Sequence, residues 1–346
     1  MSKIIKDTKL FYVETNGSGI IESERYSSSG ELSVNCEESW AVEIATPFEE
    51  KFNNLMLEDK ALWIGRIGGS DFTFVRDYFI LGGELGSEKH ISTNGPANGK
   101  NNGYFDFENK SENFKKFVDQ YTQSCKSMDD PVFVGGHDLT EAIITRGEDP
   151  ASCCFGGDFW NKKTYVSYAF VESFMPFMRS FKTWGKDKKI LVNSPLSKSV
   201  EFQTQESRVN KIHKSVDFPI CKFSTYNTPL SFTGNAFDAR GTKNWHEMCD
   251  LMMNEIKDIE FDIAFLSCGA YSMNLGERIK NELNKKSIYI GGSLNLIFNI
   301  YGNRFKDYPQ YNTEENKKYR IEALENKEIN ANAVPEGNCY FGKPQN

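Results

Sequence analysis

The stretch from Glu260 to Arg304 restricts the fold more than any other part of the chain. Phe261–Cys268 is an apolar run of strand length, closed by Gly269-Ala270-Tyr271. Behind that turn Leu275, Ile279 and Leu283 recur at four-residue spacing, the stripe of a helix. Ser287–Ile290 is a second short apolar run. Gly291-Gly292 ends it, and Leu294, Ile297, Phe298 and Tyr301 fall at i, i+3, i+4 and i+7. Two strand–turn–helix units with almost no linker predict an α/β, Rossmann-like chain. Its sheet is expected to be mostly parallel and flanked by helices, because parallel neighbours need a crossover long enough to hold a helix. In such sheets ligands bind outside the carboxyl ends of the strands. Glycine turns there let backbone amides come close, and helix starts favour anions.

The same grammar recurs upstream. Ala61–Ile67 reads as a strand, Gly68-Gly69-Ser70-Asp71 as its turn, and Phe72, Val75 and Phe79 as the following helix. Pro131–Gly135, Ser152–Phe155 and Lys189–Asn193 are further strand candidates. The last leads through Ser194-Pro195-Leu196-Ser197 into a helix predicted from Lys198 to about His213. Helices are also predicted over 45–60, over 165–181, over 244–258, and from Ser111, where Phe114, Phe117, Val118, Tyr121 and Cys125 share a face and Ser111 supplies the cap. The Gly- and Asn-rich residues 82–106 read as a long surface loop and predict a lid over the site. Three regions follow: a polar arm or hairpin over 1–42, an α/β domain over 43–308 and a weakly packed tail over 309–346.

A chain of 346 residues is long enough for one large α/β domain or two smaller ones. A net charge of −7 argues against a dedicated nucleic-acid surface, although a local field still suits a small anion. Eight cysteines without a Cys-x-x-Cys pair read as reduced, buried thiols. The first ten residues are charged and lack an apolar signal core, and no apolar run approaches the roughly 20 residues of a membrane helix. The expectation is a cytoplasmic protein with no transmembrane segment.

Three segments carry candidate chemistry. Arg66 to Asp71 places a guanidinium and a carboxylate at a strand end, where Asp71 suits a divalent metal or a ribose hydroxyl and Arg66 a phosphate. A capping Asp and a surface Arg are the plainer alternative. Ser194 to Glu201 puts Lys198 and Ser199 in a first helical turn, a favourable phosphate site, or ordinary capping. Gly269-Ala270-Tyr271 with Gly291-Gly292 suits a nucleotide diphosphate or base but lacks dinucleotide-fingerprint spacing; tight turn packing explains these residues equally. His137-Asp138 point apart on a turn, and His213 and His246 have no metal-like spacing partner. Gly-x-Ser-x-Gly, His-Glu-x-x-His and Walker patterns are absent.

With those segments in view, Ile263 to Phe305 resembles the C-terminal signature of bacterial and viral proteins with the glycosyltransferase D-type fold. That signature is an apolar strand, a Gly-Ala-Tyr turn, a Lys-Lys helix end, a strand, a Gly-Gly turn and a helix ending in Gly-x-Arg-aromatic. Gly65–Asp71 resembles the family's Arg-Ile-Gly-x-x-Glu, and Ile190–Glu201, with Val171-Glu172 upstream, its central strand and basic helix start. The resemblance spans roughly residues 45 to 307. Asp71 stands where Glu is usual and Ser194 where His is common. It implies a glycosyltransferase moving a sugar from a nucleotide-sugar donor to a saccharide or glycan acceptor, assisted by manganese or magnesium. Asp71, Glu172 and Glu201 would be catalytic, with Asp71 holding the metal. Arg66, Gly68, Gly69, Ser194, Lys198, Ser199, Gly269, Ala270, Tyr271, Gly291 and Gly292 would bind the donor. The rivals are a nucleotide- or glycan-binding protein without turnover, and an α/β phosphate-ester hydrolase.

Overall fold

The computed structural model describes residues 10–11, 13–15, 20–22, 49–68, 103–134, 165–167, 171, 175–213, 218–232, 234–305, 312–327 and 341. Its centre is a parallel sheet built around one divided strand. β1 (Leu10–Phe11), β2 (Val13–Thr15) and β3 (Ile20–Glu22) come first in the chain, and β2 and β3 form an antiparallel hairpin. β4 (Leu62–Ile64) and β5 (Arg66–Ile67) are two halves of one extended segment interrupted at Gly65. β5 pairs with β6 (Val132–Val134), β6 with β7 (Tyr165–Ser167), and β7 with β1, all parallel. β8 (Lys189–Ser194), β9 (Lys222–Asn227), β12 (Ile263–Leu266) and β13 (Lys286–Tyr289) form the other half, in the order β4-β13-β12-β8-β9, again all parallel. β10 (Ser231–Phe232) and β11 (Asn235–Ala236) make a small antiparallel hairpin. The α/β, Rossmann-like expectation is met.

The strand registers assign the faces. Leu191, Ala264 and Ser287 are level with one another. The Ser287 hydroxyl donates to the carbonyl of Gly276 in α7 (Tyr271–Leu283) at 3.0 Å, so α7 covers this face. One residue along, the side chains turn to the other face. There the Phe265 ring meets Phe177, Phe181 and Trp184 of α3 (Met175–Trp184) at 5.9, 5.3 and 6.2 Å. A sheet covered on both faces needs apolar residues at every strand position, and all four residues of β12 are buried. Burial of each such side chain contributes roughly 1.5–3 kcal/mol. α7 lies close on the sheet because Gly276 has no side chain: a Cβ there would come within 2.2 Å of the buried Trp63 ring.

The remaining helices complete the layers: α1 (residues 49–57), α2 (Ser111–Lys126), α4 (Ser197–Gln203), α5 (Glu206–Val209), α6 (Trp245–Ile256), α8 (Ser293–Ile297) and α9 (Glu314–Tyr319). No helix among the described residues is long and apolar enough to cross a membrane.

Several expectations change. The aromatic stretch 165–181 opens as strand β7, and its helix starts only at Met175. The helix expected over 198–213 breaks into α4 and α5 around Thr204 and Gln205. Ser111 does not cap α2: the carboxylate of Asp106 accepts from the Lys110 amide at 2.8 Å and from Asn113 Nδ2 at 3.0 Å instead. The end of the expected surface loop is core, since Tyr104 and Phe105 are buried and Tyr104 packs on Phe114 and Phe117 at 5.1 and 4.8 Å. The rest of that loop, residues 82–102, lies outside the described residues, as do 152–155. In the described part of the tail Asn316, Ala323, Glu325 and Phe341 are buried, while Glu314, Glu315, Lys317 and Lys318 are exposed.

Candidate functional site

Every pairing in the two sheets is parallel, so the carboxyl ends of the strands share one edge. Three predicted turns meet there through hydrogen bonds. The Ser267 amide donates to the Asn193 carbonyl at 2.9 Å, and the Ser267 hydroxyl donates to the Gly291 carbonyl at 2.7 Å. The Ile290 and Gly291 amides both reach the Leu266 carbonyl. The ends of β8, β12 and β13 are thereby locked together. Arg66, at the end of the adjoining β5, holds its guanidinium carbon 5.7 Å from the ring centre of Tyr289 on β13, so this cation belongs to the same edge. Gly269 and Gly291 adopt φ of 59° and 42°, in the left-handed region that glycine reaches without strain.

The connectivity locates a crevice along this edge. The chain leaves β8 through α4 toward β9, on the outer side, and leaves β12 through α7 toward β13, in the opposite direction. Right-handed crossovers running in opposite directions place their helices on opposite faces. α7 is on the Ser287 face, as the Gly276 contact shows. α4 is tied through Gln203 to the Asn299 carbonyl at 3.1 Å, beside Phe298, whose ring meets Phe223 of β9 at 5.6 Å. Phe223 is level with Ile190, on the Phe265 face. The switch point therefore lies between β8 and β12, where ligands bind in doubly wound sheets.

The predicted site residues divide into three groups. Arg66, Gly68, Ser194, Gly269, Gly291 and Gly292 lie at the carboxyl edge, with Gly269 exposed and Gly68, Ser194, Gly291 and Gly292 buried. Ser194 has a structural task there, its hydroxyl accepting from the Leu196 amide at 3.0 Å. Ala270 and Tyr271 start α7 but are buried, and Tyr271 stacks on Trp245 with ring centres 5.9 Å apart and planes 5° apart. Burial raises the Tyr271 phenol well above its usual range, so it acts as a neutral hydroxyl. Asp71, Gly69 and Glu172 lie outside the described residues.

The helix start at Lys198-Ser199 is already filled. Glu325, 4% exposed, accepts from the Ser199 amide at 3.0 Å and from the Ser199 hydroxyl. In this structure the Glu325 carboxylate therefore stands on the Ser199 amide where a phosphate was expected. Lys198 and Glu201 are exposed on the same short helix. His213 and His246 prove structural. Nε2 of His213 lies 2.8 and 3.0 Å from the carbonyls of Leu296 and Ile297, and Nε2 of His246 lies 2.8 Å from that of Asn113.

One residue of the edge escaped the sequence reading. Asn193 ends the run Ile-Leu-Val-Asn of β8 and is fully buried, yet neither its amide nitrogen nor its amide oxygen has a hydrogen-bond partner among the described residues. The signal was present: an amide at the end of a strand apolar on both faces has no packing reason to be there. Among the described residues no three His, Cys, Asp or Glu side chains are grouped to hold a metal ion. A groove of about 560 Å³, lined by Glu50, Lys51, Glu58, Lys60, Asp129 and Asp130 among others, includes Leu62 at the start of β4 and so lies at the opposite, amino edge of the sheet. Within it Lys51 pairs with Asp130 at 3.3 Å and Asp129 accepts from the Trp63 amide at 2.7 Å. No family model matches the chain, and no curated protein or solved structure matches it either.

Proposed function

We propose that the protein is a glycosyltransferase that binds a nucleotide-sugar donor across the carboxyl edge of β5, β13, β12 and β8 and passes the sugar to a saccharide acceptor. The observation that carries this reading is the switch point between β8 and β12, with a half-buried arginine and two left-handed glycine turns on the same edge. Cleaving a glycosidic bond to a diphosphate leaves negative charge on the leaving group, and preorganised donors must neutralise it. Arg66 is the described cation placed for that work, and the exposed Gly269 turn is where a phosphate can approach backbone closely. A divalent cation, if the donor brings one, would add to that neutralisation at Asp71.

The test is a thermal-shift screen of nucleotide sugars, with and without manganese, followed by transfer of labelled sugar to saccharide acceptors. A donor at a hundred times its Kd should stabilise the fold by about 2.7 kcal/mol. Arg66→Ala should keep the fold and weaken the donor roughly ten- to a hundredfold, the worth of a charge-assisted hydrogen bond. Release of nucleotide with water as the only acceptor would assign the site to a hydrolase. Absence of any nucleotide-sugar response would remove the reading.

A further inference from the structure

Asn193 is one of several buried polar groups without a partner on this side of the sheet. It is level with Tyr226 of β9. Two residues beyond Tyr226, on the same strand path, Thr228 is 1% exposed and its hydroxyl has no partner among the described residues. The Thr228 amide donates to the Ser194 carbonyl at 3.2 Å, which holds this hydroxyl beside the end of β8. Three residues on, Ser231 opens the β10–β11 hairpin and donates to the Gly103 carbonyl at 2.6 Å, and the same glycine lies against the Ala270 amide. Tyr271 follows. Ser231 is near enough to moderate the acidity of the Tyr271 hydroxyl, but no hydrogen bond of proper geometry joins them. Nε1 of Trp245, stacked on Tyr271, is likewise unpartnered.

Buried polar atoms are nearly always paired, and an unpaired one carries its full desolvation cost. An amide, two hydroxyls and an indole N–H left open in one neighbourhood mark a site built for a partner that supplies both donors and acceptors. The charges nearby are spent: Arg240 is bound to the Tyr226 hydroxyl at 2.9 Å, to Glu255 at 3.0 Å and to the Asn227 carbonyl. Among the described residues the charges beside these groups, Arg240 and Glu255, are thus paired with each other rather than offered to a charged ligand. We propose that Asn193, Thr228, Tyr271 and Trp245 form a subsite for a neutral, hydroxyl-rich ring, the sugar of the donor, beside the β10–β11 hairpin. This rests on the transferase reading for the identity of the ring, and on the unpaired atoms for the existence of the subsite.

The test uses Asn193→Leu, close in shape and unable to hydrogen bond, and Thr228→Val, which exchanges the hydroxyl for a methyl. Melting temperatures are read for wild type and both variants alone, with uridine and guanosine diphosphates, with the matching glucose and mannose nucleotide sugars, and with the free sugars. Removing an unsatisfied amide should leave the unliganded Asn193→Leu protein as stable as wild type or more so. The nucleotide sugar should stabilise wild type beyond the bare diphosphate, and either variant should lose that excess, a drop in affinity of at least tenfold, while keeping the response to the diphosphate. If the diphosphate binds and the sugar adds nothing, the subsite is overturned and the transferase reading survives. If free sugars bind wild type but not the variants, and no nucleotide binds, the subsite stands and the transferase reading falls. Destabilisation of both unliganded variants with no sugar response means that water satisfies these groups, and overturns the subsite; no response to any ligand overturns both.

Discussion

Single residues in this protein show how burial decides what a polar group is for. His213 is 2% exposed, stacks on Phe218 with ring centres 6.1 Å apart, and caps the end of α8 through the Leu296 and Ile297 carbonyls. Burial lowers its pKa from the ordinary 6.5 to about 4, with the positive charge of Arg320 adding to the shift against the hydrogen bonds that oppose it. The unfolded chain takes up this proton between pH 6.5 and 4 and the folded one does not. Its contribution is therefore complete above pH 6.5 and is lost as the pH falls through that window, by up to about 3 kcal/mol. His213→Gln keeps an N–H for the two carbonyls and has nothing to titrate. Urea unfolding at pH 7 and pH 4.5 should show a smaller acid loss in the variant than in wild type. Equal losses would mean that His213 is charged in the folded protein. Cys268 tells the same story: burial pushes its thiol up to about 12, which makes it an inert part of the α7 turn.

At the scale of elements, the least expected finding is the return of residues 312–327 to the body of the domain. The Ile300–Ile321 bridge, the Asn299 side-chain contact to the Asn316 carbonyl at 2.8 Å, and the Glu325–Ser199 contact tie them to α8 and α4. The Leu324 amide adds a bond to the Ser199 hydroxyl at 2.9 Å. Sequence periodicity missed this because the segment is held by polar bonds, and a charged stretch with no apolar stripe reads as solvated. Of the strands, β5 and β6 fall inside the predicted runs 61–67 and 131–135, whereas β7 and β9 were missed. β7 is three residues long, too short for a period to register, and β9 (Lys-Phe-Ser-Thr-Tyr-Asn) is an edge strand with little apolar character. β8, β12 and β13 were legible because they are buried on both faces. Ser199→Ala removes the hydroxyl shared by Glu325 and Leu324 and leaves a buried carboxylate short of a donor. It should cost about 1–3 kcal/mol and expose the 312–327 segment to limited proteolysis before the rest of the chain unfolds. Unchanged protease resistance would show that the other contacts hold the segment alone.

At the scale of the whole molecule, the two halves of the sheet meet in one segment, 62–67. β4 faces β13 and β5 faces β6, and the Gly65 carbonyl between them accepts from the Phe133 amide at 3.0 Å. The strand order β1-β7-β6-β5/β4-β13-β12-β8-β9 is thus continuous, although each half alone has an ordinary number of strands. The sequence pattern showed the strand but not this double duty, because pairing partners are far apart in the chain and periodicity carries no record of them. The candidate site was legible to the same degree: glycine turns placed it at the carboxyl edge, while the switch point and the unpaired Asn193 needed the topology. Continuity has a mechanical consequence. If segment 62–67 couples the halves, neither can open without it, and its amides should exchange only through global unfolding. Native-state hydrogen exchange read by mass spectrometry should then find peptides covering 62–67, 132–134 and 286–290 exchanging together, at the slowest rate in the protein, and moving in parallel as denaturant is added. Exchange of 132–134 through a separate, lower-energy opening would divide the sheet into two cooperative units and confine the candidate site to the larger one.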